Sequence, residues 1–325
     1  MLKKLDLLNQ YIGNTPCVNL GVNPINLFAK LESYNLMGSV KMRPAYYVIK
    51  EAIKNGKIDE NTTVIESSSG NFAIALATIC KFLGIKFIPF IDMNISPTYE
   101  KLLHTISHDV VKVTERDETG GYLLTRLNEI KRFQTDNDNI FWTNQYGNID
   151  CLRAHYYGLG TEISENFDKI DYAFIGVSSC GTIAGVSRKL KEKFPNIKII
   201  AVDTEGSVIF GKPPSKRYIP GIGSSMTPDI LKEALIDEVI YVPETKAVEG
   251  CYELFEKFAI FAGGSSGASY YAISEYFKDK KLNQVPNVVF LCPDGGSPYV
   301  DTIYSNEWVK WINNQKDTVV SLKYT

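Results

Sequence analysis

Residues 172–182 read Tyr-Ala-Phe-Ile-Gly-Val-Ser-Ser-Cys-Gly-Thr, an apolar run followed by a loop of small polar residues. Residues 183–193 then carry the apolar spacing of an amphipathic helix. A strand that leads through a short loop into a helix is the repeating unit of parallel β-sheets. The segment therefore predicts one βα unit, with small polar residues where the strand ends.

The same alternation extends in both directions along the chain. Strands are predicted at 27–32, 63–66, 86–92, 110–114, 140–143, 172–177, 197–202, 239–242 and 288–291. Helices are predicted at 44–55, 72–82, 123–133, 183–193, 248–258 and 268–277. Apolar strands that alternate with helices predict an α/β protein whose parallel sheets are covered by helices on both faces.

Length and composition narrow the class of protein. A chain of 325 residues suggests about two domains. A net charge of −2, with no long basic block, argues against nucleic acid and anionic membranes as partners. No apolar run approaches the roughly 20 residues of a membrane-spanning helix, and the first eight residues lack the apolar core of a secretory signal.

The cysteines and histidines argue against disulfides and metal centres. Six cysteines are scattered without a Cys-x-x-Cys pair, and the chain has only three histidines. This pattern is typical of reduced thiols in a cytoplasm. We therefore expect a cytoplasmic protein without a metal site.

The loop at 178–182 is the first of five junctions that could carry chemistry. Unpaired N–H groups at a helix start attract an anion such as phosphate, and the Ser and Thr hydroxyls add donors. Simple capping of the helix is the alternative. The loop is neither a Walker loop nor Gly-x-Gly-x-x-Gly, which disfavours ATP and NAD as ligands.

The second junction, 65–71, reads Ile-Glu-Ser-Ser-Ser-Gly-Asn, and its polar groups could hold a carboxylate or only cap a helix. At the third, Lys41 falls just before a helix predicted to begin near Pro44. A helix N-terminus disfavours an ammonium ion, which suits Schiff-base chemistry, although most lysines are solvated surface charges. The fourth and fifth junctions, 261–268 and 291–296, could each be a turn and a cap.

The five junctions, in this order, resemble the fold type II pyridoxal-phosphate enzymes of the cysteine synthase family. The family pattern Lys-x-Glu-x-x-Asn-Pro-x-x-Ser-x-Lys-Asp-Arg is matched by residues 30–43. The family's Thr-Ser-Gly-Asn loop reads Ser-Ser-Gly-Asn at 68–71, and its phosphate loop is matched at 178–182. The match covers nearly the whole chain.

The resemblance implies two α/β domains, each with a mostly parallel sheet flanked by helices, as in the β subunit of tryptophan synthase. Residues 36–145 would form a smaller, mobile domain with the cofactor lysine and the substrate loop. Residues 1–35 and 146–325 would form a larger domain with the phosphate loop. The resemblance also implies pyridoxal 5′-phosphate as cofactor, small amino acids as substrates, and a homodimer.

The family roles transfer residue by residue. Lys41 would be the Schiff-base lysine and then the base, Asn71 would bind the ring oxygen of the cofactor, and Ser265 would face the pyridine nitrogen. The 5′-phosphate would be cradled by Ser178, Ser179, Cys180, Gly181 and Thr182. The substrate carboxylate would be held by Ser68, Ser69, Gly70 and Gln145.

A narrower resemblance involves the stretches 120–126, 144–146, 206–211 and 220–223. They are similar to the N-(2-amino-2-carboxyethyl)-L-glutamate synthases of 2,3-diaminopropionate and staphyloferrin B siderophore synthesis. Those enzymes join O-phospho-L-serine to L-glutamate through an aminoacrylate and release phosphate. Arg126 and Tyr146 match residues that handle phosphoserine there. The alternatives are a solvated helix-surface arginine and a packing aromatic.

The chain departs from the family pattern at three places. Leu36 replaces a proline, Pro298 replaces a late arginine, and Met42 replaces an aspartate, which removes a helix-dipole interaction of roughly 0.3–1 kcal/mol. Cys180 could be a thiol nucleophile, although a small packing residue fits better because no histidine lies near it in sequence. A cysteine synthase or related enzyme using O-acetylserine, phosphoserine or cysteine with sulfide or water remains an alternative. A non-catalytic scaffold and an NAD-linked oxidoreductase are further alternatives.

Overall fold

The computed structural model describes residues 1–118 and 120–322. Its strands are β1 Cys17–Asn19, β2 Asn26–Leu31, β3 Thr63–Ser67, β4 Lys86–Asp92, β5 Val111–Val113, β6 Ile140–Trp142, β7 Tyr172–Gly176, β8 Lys198–Thr204, β9 Glu238–Val242 and β10 Asn287–Cys292. Its α-helices are α1 Leu2–Asp6, α2 Met42–Lys54, α3 Asn71–Leu83, α4 Pro97–Ile106, α5 Leu123–Asp136, α6 Ile149–Ala154, α7 Thr161–Glu165, α8 Gly181–Lys193, α9 Glu244–Phe258, α10 Gly264–Phe277 and α11 Asn306–Leu322.

The strands form two sheets. The larger has the order β1-β2-β10-β7-β8-β9, and the smaller has the order β5-β4-β3-β6. Strand β1 is antiparallel to β2, and every other pairing in the two sheets is parallel. Parallel neighbours direct their carboxyl ends to the same edge, so the loops that follow these strands gather there.

Helices cover both faces of each sheet, and their apolar sides form the cores. In the smaller sheet, α2 and α3 pack on one face and α5 packs on the other through Ile130. In the larger sheet, α9 and α10 bury one face and α8 buries the other. The sequence prediction of an α/β fold with two helix-flanked, mostly parallel sheets is confirmed.

Helices α9 and α10 approach each other at two glycines. A methyl group on Gly250 would lie 2.2 Å from the carbonyl oxygen of Gly267, and one on Gly267 would lie 2.2 Å from that of Ala247. Only a residue without a Cβ allows this contact. It fixes α10, whose first turn contains Ser265, against the larger sheet.

All nine predicted strands form with ends within two residues of the prediction, and all six predicted helices form. The sequence pattern did not predict β1, which is only three residues long, or five of the helices: α1, α4, α6, α7 and α11. Helix α2 begins at Met42 rather than near Pro44. Helices α9 and α10 each begin four residues earlier than predicted. In α10 the reason is that glycine and serine dominate the first turn and leave no apolar period there.

The predicted domain boundaries stay a prediction. Strands β1 and β2 belong to the larger sheet, and the smaller sheet is built from residues between 63 and 142. Thr119 of the predicted smaller domain and residues 323–325 of the larger one lie outside the described residues.

Two of the departures from the family pattern lie in the core. Met42 is fully buried in the cluster formed by α2 and α3, and Leu36 packs against the same cluster. The helix-dipole interaction of an aspartate is therefore replaced at position 42 by apolar burial.

Within the described ranges, no helix combines the length and the hydropathy needed to cross a bilayer.

Candidate active site

The loops at the carboxyl ends of four parallel strands meet in one cleft. Lys41 follows β2, Phe72 follows β3, Gln145 follows β6, and the loop at 178–182 follows β7. The cleft is lined by Lys41, Pro44, Phe72, Gln145, Cys151, His155, Ser179, Gly181 and Thr182. The structure therefore brings the predicted lysine and three residues of the predicted phosphate loop together.

Lys41 is held at the entrance of α2 by the segment that follows β10. The amide of Val40 donates to the carbonyl of Pro293 at 2.7 Å, and Ser39 forms a β-bridge with Asp294. Burial lowers the pKa of Lys41, and the nearby Cys151 and Asp294 oppose this shift. A lysine with a lowered pKa provides the neutral amine that Schiff-base and proton-transfer chemistry needs.

The loop at 178–182 leaves the start of α8 open to an anion. Cys180 immediately precedes the helix with φ 64°, a left-handed conformation, and none of the described side chains caps the helix start. Its first N–H groups therefore lack intrahelical partners, and the helix dipole favours negative charge there. The predicted alternative, capping by Ser and Thr hydroxyls, is wrong for this loop.

The members of this loop have different roles. The Ser178 hydroxyl donates to the carbonyl of Gly223 at 3.0 Å and so ties the loop to the connection between β8 and β9. The Cys180 thiol lies 3.5 Å from the carbonyl of Ser178, and burial raises its pKa to about 12. A thiol with so high a pKa is not a nucleophile at neutral pH. Cys180 is a packing residue, as the sequence favoured.

His155 lies behind the loop, in a six-residue π-helical turn between α6 and α7. Its Nε2 is 3.2 Å from the Thr182 hydroxyl, and its Nδ1 is buried without a hydrogen-bond partner among the described residues. Burial lowers its pKa well below the usual value, and the charges of Lys41 and Arg43 add to that effect. His155 is therefore neutral beside the hydroxyl of Thr182.

Asn71 is fixed by hydrogen bonds on both sides of its amide. Its Nδ2 donates to Asp294 Oδ2 at 2.7 Å, and its Oδ1 accepts from the Tyr99 hydroxyl at 2.6 Å. The Tyr299 hydroxyl also donates to Asp294 Oδ2, at 2.6 Å. Burial raises the pKa of Asp294, whose Oδ1 has no partner in the described part of the chain. Asn71 of the smaller sheet is thus tied to the segment after β10.

The loop at 68–71 combines capping with open polar groups. Ser68 Oγ accepts from the amides of Gly70 and Ala73, at 3.4 and 3.3 Å, so this hydroxyl caps α3. Ser69 Oγ donates to Asp92 at 3.1 Å and accepts from Arg126 Nη1 at 3.0 Å. The capping interpretation applies to Ser68, and the binding of a substrate carboxylate by this loop stays a prediction.

Two more predicted residues lie at the ends of strands. Gln145 is buried, and its Nε2 donates to the carbonyl of Ser67 at 3.2 Å. Ser265 is buried in the first turn of α10, where a methyl group on Gly176 would lie 3.4 Å from its Cβ. Ser265 is therefore next to the end of β7, and its contact with a pyridine nitrogen stays a prediction.

Arg126 points from α5 into the protein. Its side chain is only 10% exposed and lies 3.3 Å from Asp92, while its Nε has no partner within the described residues. The alternative of a solvated surface arginine is wrong. Tyr146 is half-buried, and the charge of Arg126 acts on its hydroxyl.

Glu66 is a buried carboxyl group at the end of β3. Its oxygens accept from the hydroxyl of Thr143 and the amides of Ser67 and Gln145. Burial raises its pKa from 4.5 to about 7 in spite of these hydrogen bonds. The protonated form is therefore favoured in the folded state well above the pH at which an exposed glutamate ionises.

Replacing Glu66 with glutamine tests this pKa. The folded wild type favours the protonated form of Glu66. The contribution of this residue to the free energy of unfolding is therefore fully present below pH 4.5 and is lost as pH rises through about 7. We expect the unfolding free energy of the wild type, minus that of Glu66→Gln, to fall by about 3 kcal/mol from pH 4.5 to pH 8. Urea unfolding at several pH values measures it. The exposed Glu60→Gln is the control, and a pH-independent difference for Glu66 would contradict the prediction.

Four residues of this site had no role predicted from the sequence. Asp294 lies in the fifth junction and Tyr299 directly follows Pro298, but neither carried a predicted contact. Tyr99 lies on α4, which the apolar period did not reveal, and His155 lies in a π-helical turn that no sequence pattern signals. Of these four, Asp294 alone had a usable sequence signal, because it is an acidic residue that closely follows the end of a predicted strand.

The residues present fit pyridoxal phosphate. Lys41 would hold its aldehyde carbon, and the uncapped start of α8 would hold its phosphate. The orphaned Oδ1 of Asp294 and Nδ1 of His155 are buried polar atoms of the kind that a bound polar group satisfies. In the residues that the structure describes, no group of three or more His, Cys, Asp or Glu side chains could hold a metal ion.

Comparisons with known proteins agree with this site. The model of the family described as pyridoxal-phosphate-dependent enzymes matches residues 8–294. An O-acetylserine-dependent cystathionine β-synthase from Helicobacter pylori is 28% identical, with a TM-score of 0.84 over 92% of this chain and 98% of that chain. A hydrogen sulfide-producing enzyme from Fusobacterium nucleatum is 30% identical, with a TM-score of 0.80 over 90% and 98%.

A further solved structure contains a bound reaction intermediate. It is a hydrogen sulfide-producing enzyme in complex with an α-aminoacrylate intermediate, 30% identical, with a TM-score of 0.81 over 92% of this chain and 91% of that chain. The family match covers well over half of the chain, and the solved structures agree with the fold. The chain therefore belongs to the family of pyridoxal-phosphate-dependent enzymes, as a fold type II member related to the cysteine synthases.

Proposed function

We propose that this enzyme catalyses a β-replacement that joins O-phospho-L-serine to L-glutamate. The products are N-(2-amino-2-carboxyethyl)-L-glutamate and inorganic phosphate. The observation that carries the proposal is the buried Arg126, whose guanidinium contacts Ser69 of the predicted substrate loop. The relatives also support the reaction class, since one of them depends on O-acetylserine, another O-substituted serine.

The proposed reaction needs neither an oxidant nor a reductant. The Cβ–O bond of phosphoserine breaks, and phosphate leaves with its electron pair. The glutamate amine forms the new bond to Cβ and loses a proton. Bound pyridoxal phosphate supplies the electron sink for the negative charge that develops at Cα.

Lys41 would move the Cα proton. Burial lowers its pKa, which favours the neutral amine that can accept a proton. Asn71 would keep the cofactor ring in place, because Asp294 and Tyr99 already hold its amide in one orientation. The N–H groups of the Ser69–Gly70 turn and the amide of Gln145 would bind the substrate carboxylate.

Arg126 would read the leaving group. Its planar fork can donate two parallel hydrogen bonds to a phosphate, and its Nε still lacks a partner in the described residues. The Asp92 carboxylate lies 3.3 Å from the guanidinium of Arg126 and accepts a hydrogen bond from the Ser69 hydroxyl, so it keeps Arg126 next to Ser69. A phosphate dianion is a stronger partner for that fork than the neutral acetyl group of O-acetylserine.

Replacing Arg126 with glutamine tests the leaving group. We expect kcat/KM for O-phospho-L-serine to fall about 10- to 150-fold, the equivalent of a charged hydrogen bond of roughly 1.5–3 kcal/mol. The value for O-acetyl-L-serine should fall far less. Phosphate and acetate release by the cofactor-loaded enzyme provide the two readouts. The exposed Arg132→Gln, on the same helix, is the matched control. Equal losses with both substrates would contradict the proposal.

A second candidate is a cysteine synthase-like reaction with sulfide, since the likeness to an enzyme that produces hydrogen sulfide favours chemistry in which a Cβ–S bond is formed or broken. Incubating the loaded enzyme with O-phospho-L-serine and either glutamate or sulfide separates the two. Mass spectrometry detects the adduct or cysteine. Formation of cysteine alone would favour the second candidate.

The remaining parts of the proposal concern context and assembly. The adduct would supply 2,3-diaminopropionate for a siderophore, the protein would be a homodimer, and residues 36–145 would move over the substrate. Analytical ultracentrifugation measures the mass in solution, and small-angle X-ray scattering with and without O-phospho-L-serine measures the closure.

A further inference from the structure

A second arginine lies beside the predicted phosphate loop. Arg217 belongs to the connection between β8 and β9, and a methyl group on Gly223 would lie only 2.5 Å from its Nη1. The amide of Gly223 donates to the carbonyl of Val177 at 2.7 Å, and its carbonyl accepts from Ser178. The guanidinium of Arg217 therefore lies over the residue that anchors the start of the phosphate loop.

The charge of Arg217 is poorly compensated. Its Nη2 donates to the neutral Ser225 hydroxyl at 2.8 Å, and none of the ion pairs among the described residues includes it. The side chain is half-buried, and burial lowers its pKa although Asp203 and Glu244 oppose the shift. By contrast, Arg126 contacts a carboxylate. A partly desolvated cation without a carboxylate partner is costly, and a bound anion removes that cost.

The charges of Arg217 and Arg126 both act on the hydroxyl of Tyr146. Burial raises the pKa of Tyr146, and the charges of both arginines lower it. Arg126 comes from α5 of the smaller sheet, while Arg217 comes from a loop of the larger one. One cation from each half of the protein therefore acts electrostatically on Tyr146. The proposed reaction brings together a phosphate and an amino acid with two carboxylates.

We propose that Arg217 binds the side-chain carboxylate of the attacking amino acid and so restricts the second substrate to acidic amino acids. The inference rests on the proposed function. Arg126 would read the leaving phosphate of the first substrate, and Arg217 would read the acceptor. A guanidinium fork matches a carboxylate in two parallel hydrogen bonds, which a glutamine side chain on the acceptor could not accept.

The test compares glutamate with glutamine, which has the same shape without the charge. Adduct formation by the loaded enzyme is followed at saturating O-phospho-L-serine. In Arg217→Gln we expect the KM for glutamate to rise about 10- to 150-fold, with a much smaller change in kcat. The preference for glutamate over glutamine should collapse, and Arg217→Lys should restore part of it. Lys216→Gln, an exposed cation next to it in sequence, is the control.

Each other outcome overturns a stated part. If Arg217→Gln keeps the wild-type preference for glutamate, this inference fails and the proposed function stands. If Asp203→Asn restores the glutamate KM of Arg217→Gln, the arginine serves that buried carboxylate and the inference fails. If the wild type uses only sulfide or neutral nucleophiles, both proposals fail. If it prefers another dicarboxylic amino acid, the proposed function fails and the Arg217 variants decide the inference with that amino acid.

Discussion

An enzyme with Lys41 replaced by alanine is expected to lose the visible absorption of its covalently held cofactor. Release of phosphate from O-phospho-L-serine should fall by ~10²–10⁴-fold or more, because the same amine would hold the cofactor and move the Cα proton. Lys41 lies in the cleft with Ser179 and Thr182, and burial lowers its pKa. Difference absorption spectra after loading with pyridoxal phosphate, together with a phosphate assay, measure both effects.

The control for this variant lies on the same helix. Lys54→Ala removes an amine at the exposed end of α2, where it pairs with Glu51, and should leave both the spectrum and the rate unchanged. Far-ultraviolet circular dichroism shows whether each variant is folded. A folded Lys41→Ala enzyme that keeps the band and the rate would exclude Lys41 as the cofactor lysine.

Replacing Arg43 with methionine should lower the free energy of unfolding by about 3–5 kcal/mol. Arg43 pairs with Glu32 and with Glu162, both at 2.6 Å, and Lys30 pairs with Glu162 at 2.8 Å. Glu32 is fully buried, so removing the guanidinium leaves it without its charged partner in a low-dielectric interior. The loss is measured by urea unfolding of the wild type and the variant.

The exposed Arg132 is the matched control. Its side chain is 75% exposed and pairs with Glu129 one turn away, and such pairs contribute about 0–1 kcal/mol. Arg132→Met should therefore change the free energy of unfolding by no more than that. Losses of similar size in the two variants would mean that the buried network contributes no more than a surface pair.

The buried network also predicts a dependence on pH. Burial raises the pKa of Glu162, but hydrogen bonds and charge from Arg43 outweigh it and lower the pKa to about 2. This stabilisation is present above pH 4.5 and is lost as pH falls towards 2. In Arg43→Met this loss should be smaller and should end at a higher pH, because the main cause of the lowered folded-state pKa is gone while the unfolded-state pKa of Glu162 is unchanged.

The sequence predicted the sheets well because their signal is local. An apolar run of five residues and a small polar loop lie next to each other in the chain, and neighbouring βα units repeat the same pattern. The structure confirms each of these strands to within two residues. The first turn of α10 was missed for the opposite reason, since Gly264 and Gly267 are poor helix formers. Gly267 is required there by the contact with α9, and Gly264 by the close approach of Ile219.

The site was only partly predictable because its contacts are distant in sequence. Asn71 and Asp294 are 223 positions apart, yet their side chains are 2.7 Å from each other. No local pattern marks such a pair. Cys180 was unpredictable for a second reason. Its backbone is left-handed, a conformation that favours glycine, so a cysteine at this position gives no sequence signal of the turn.

The position of β2 has a consequence for synthesis of the chain. Its neighbour β10 begins at Asn287, which pairs with Asn26 across 261 residues. At roughly 5–20 residues per second, a ribosome needs on the order of 10–50 s between these two strands. The strands of the smaller sheet all lie between residues 63 and 142 and leave the exit tunnel long before β10. During that time the edge of β2 that later pairs with β10 has no partner strand. This is the interval in which a chaperone would protect the nascent chain from aggregation.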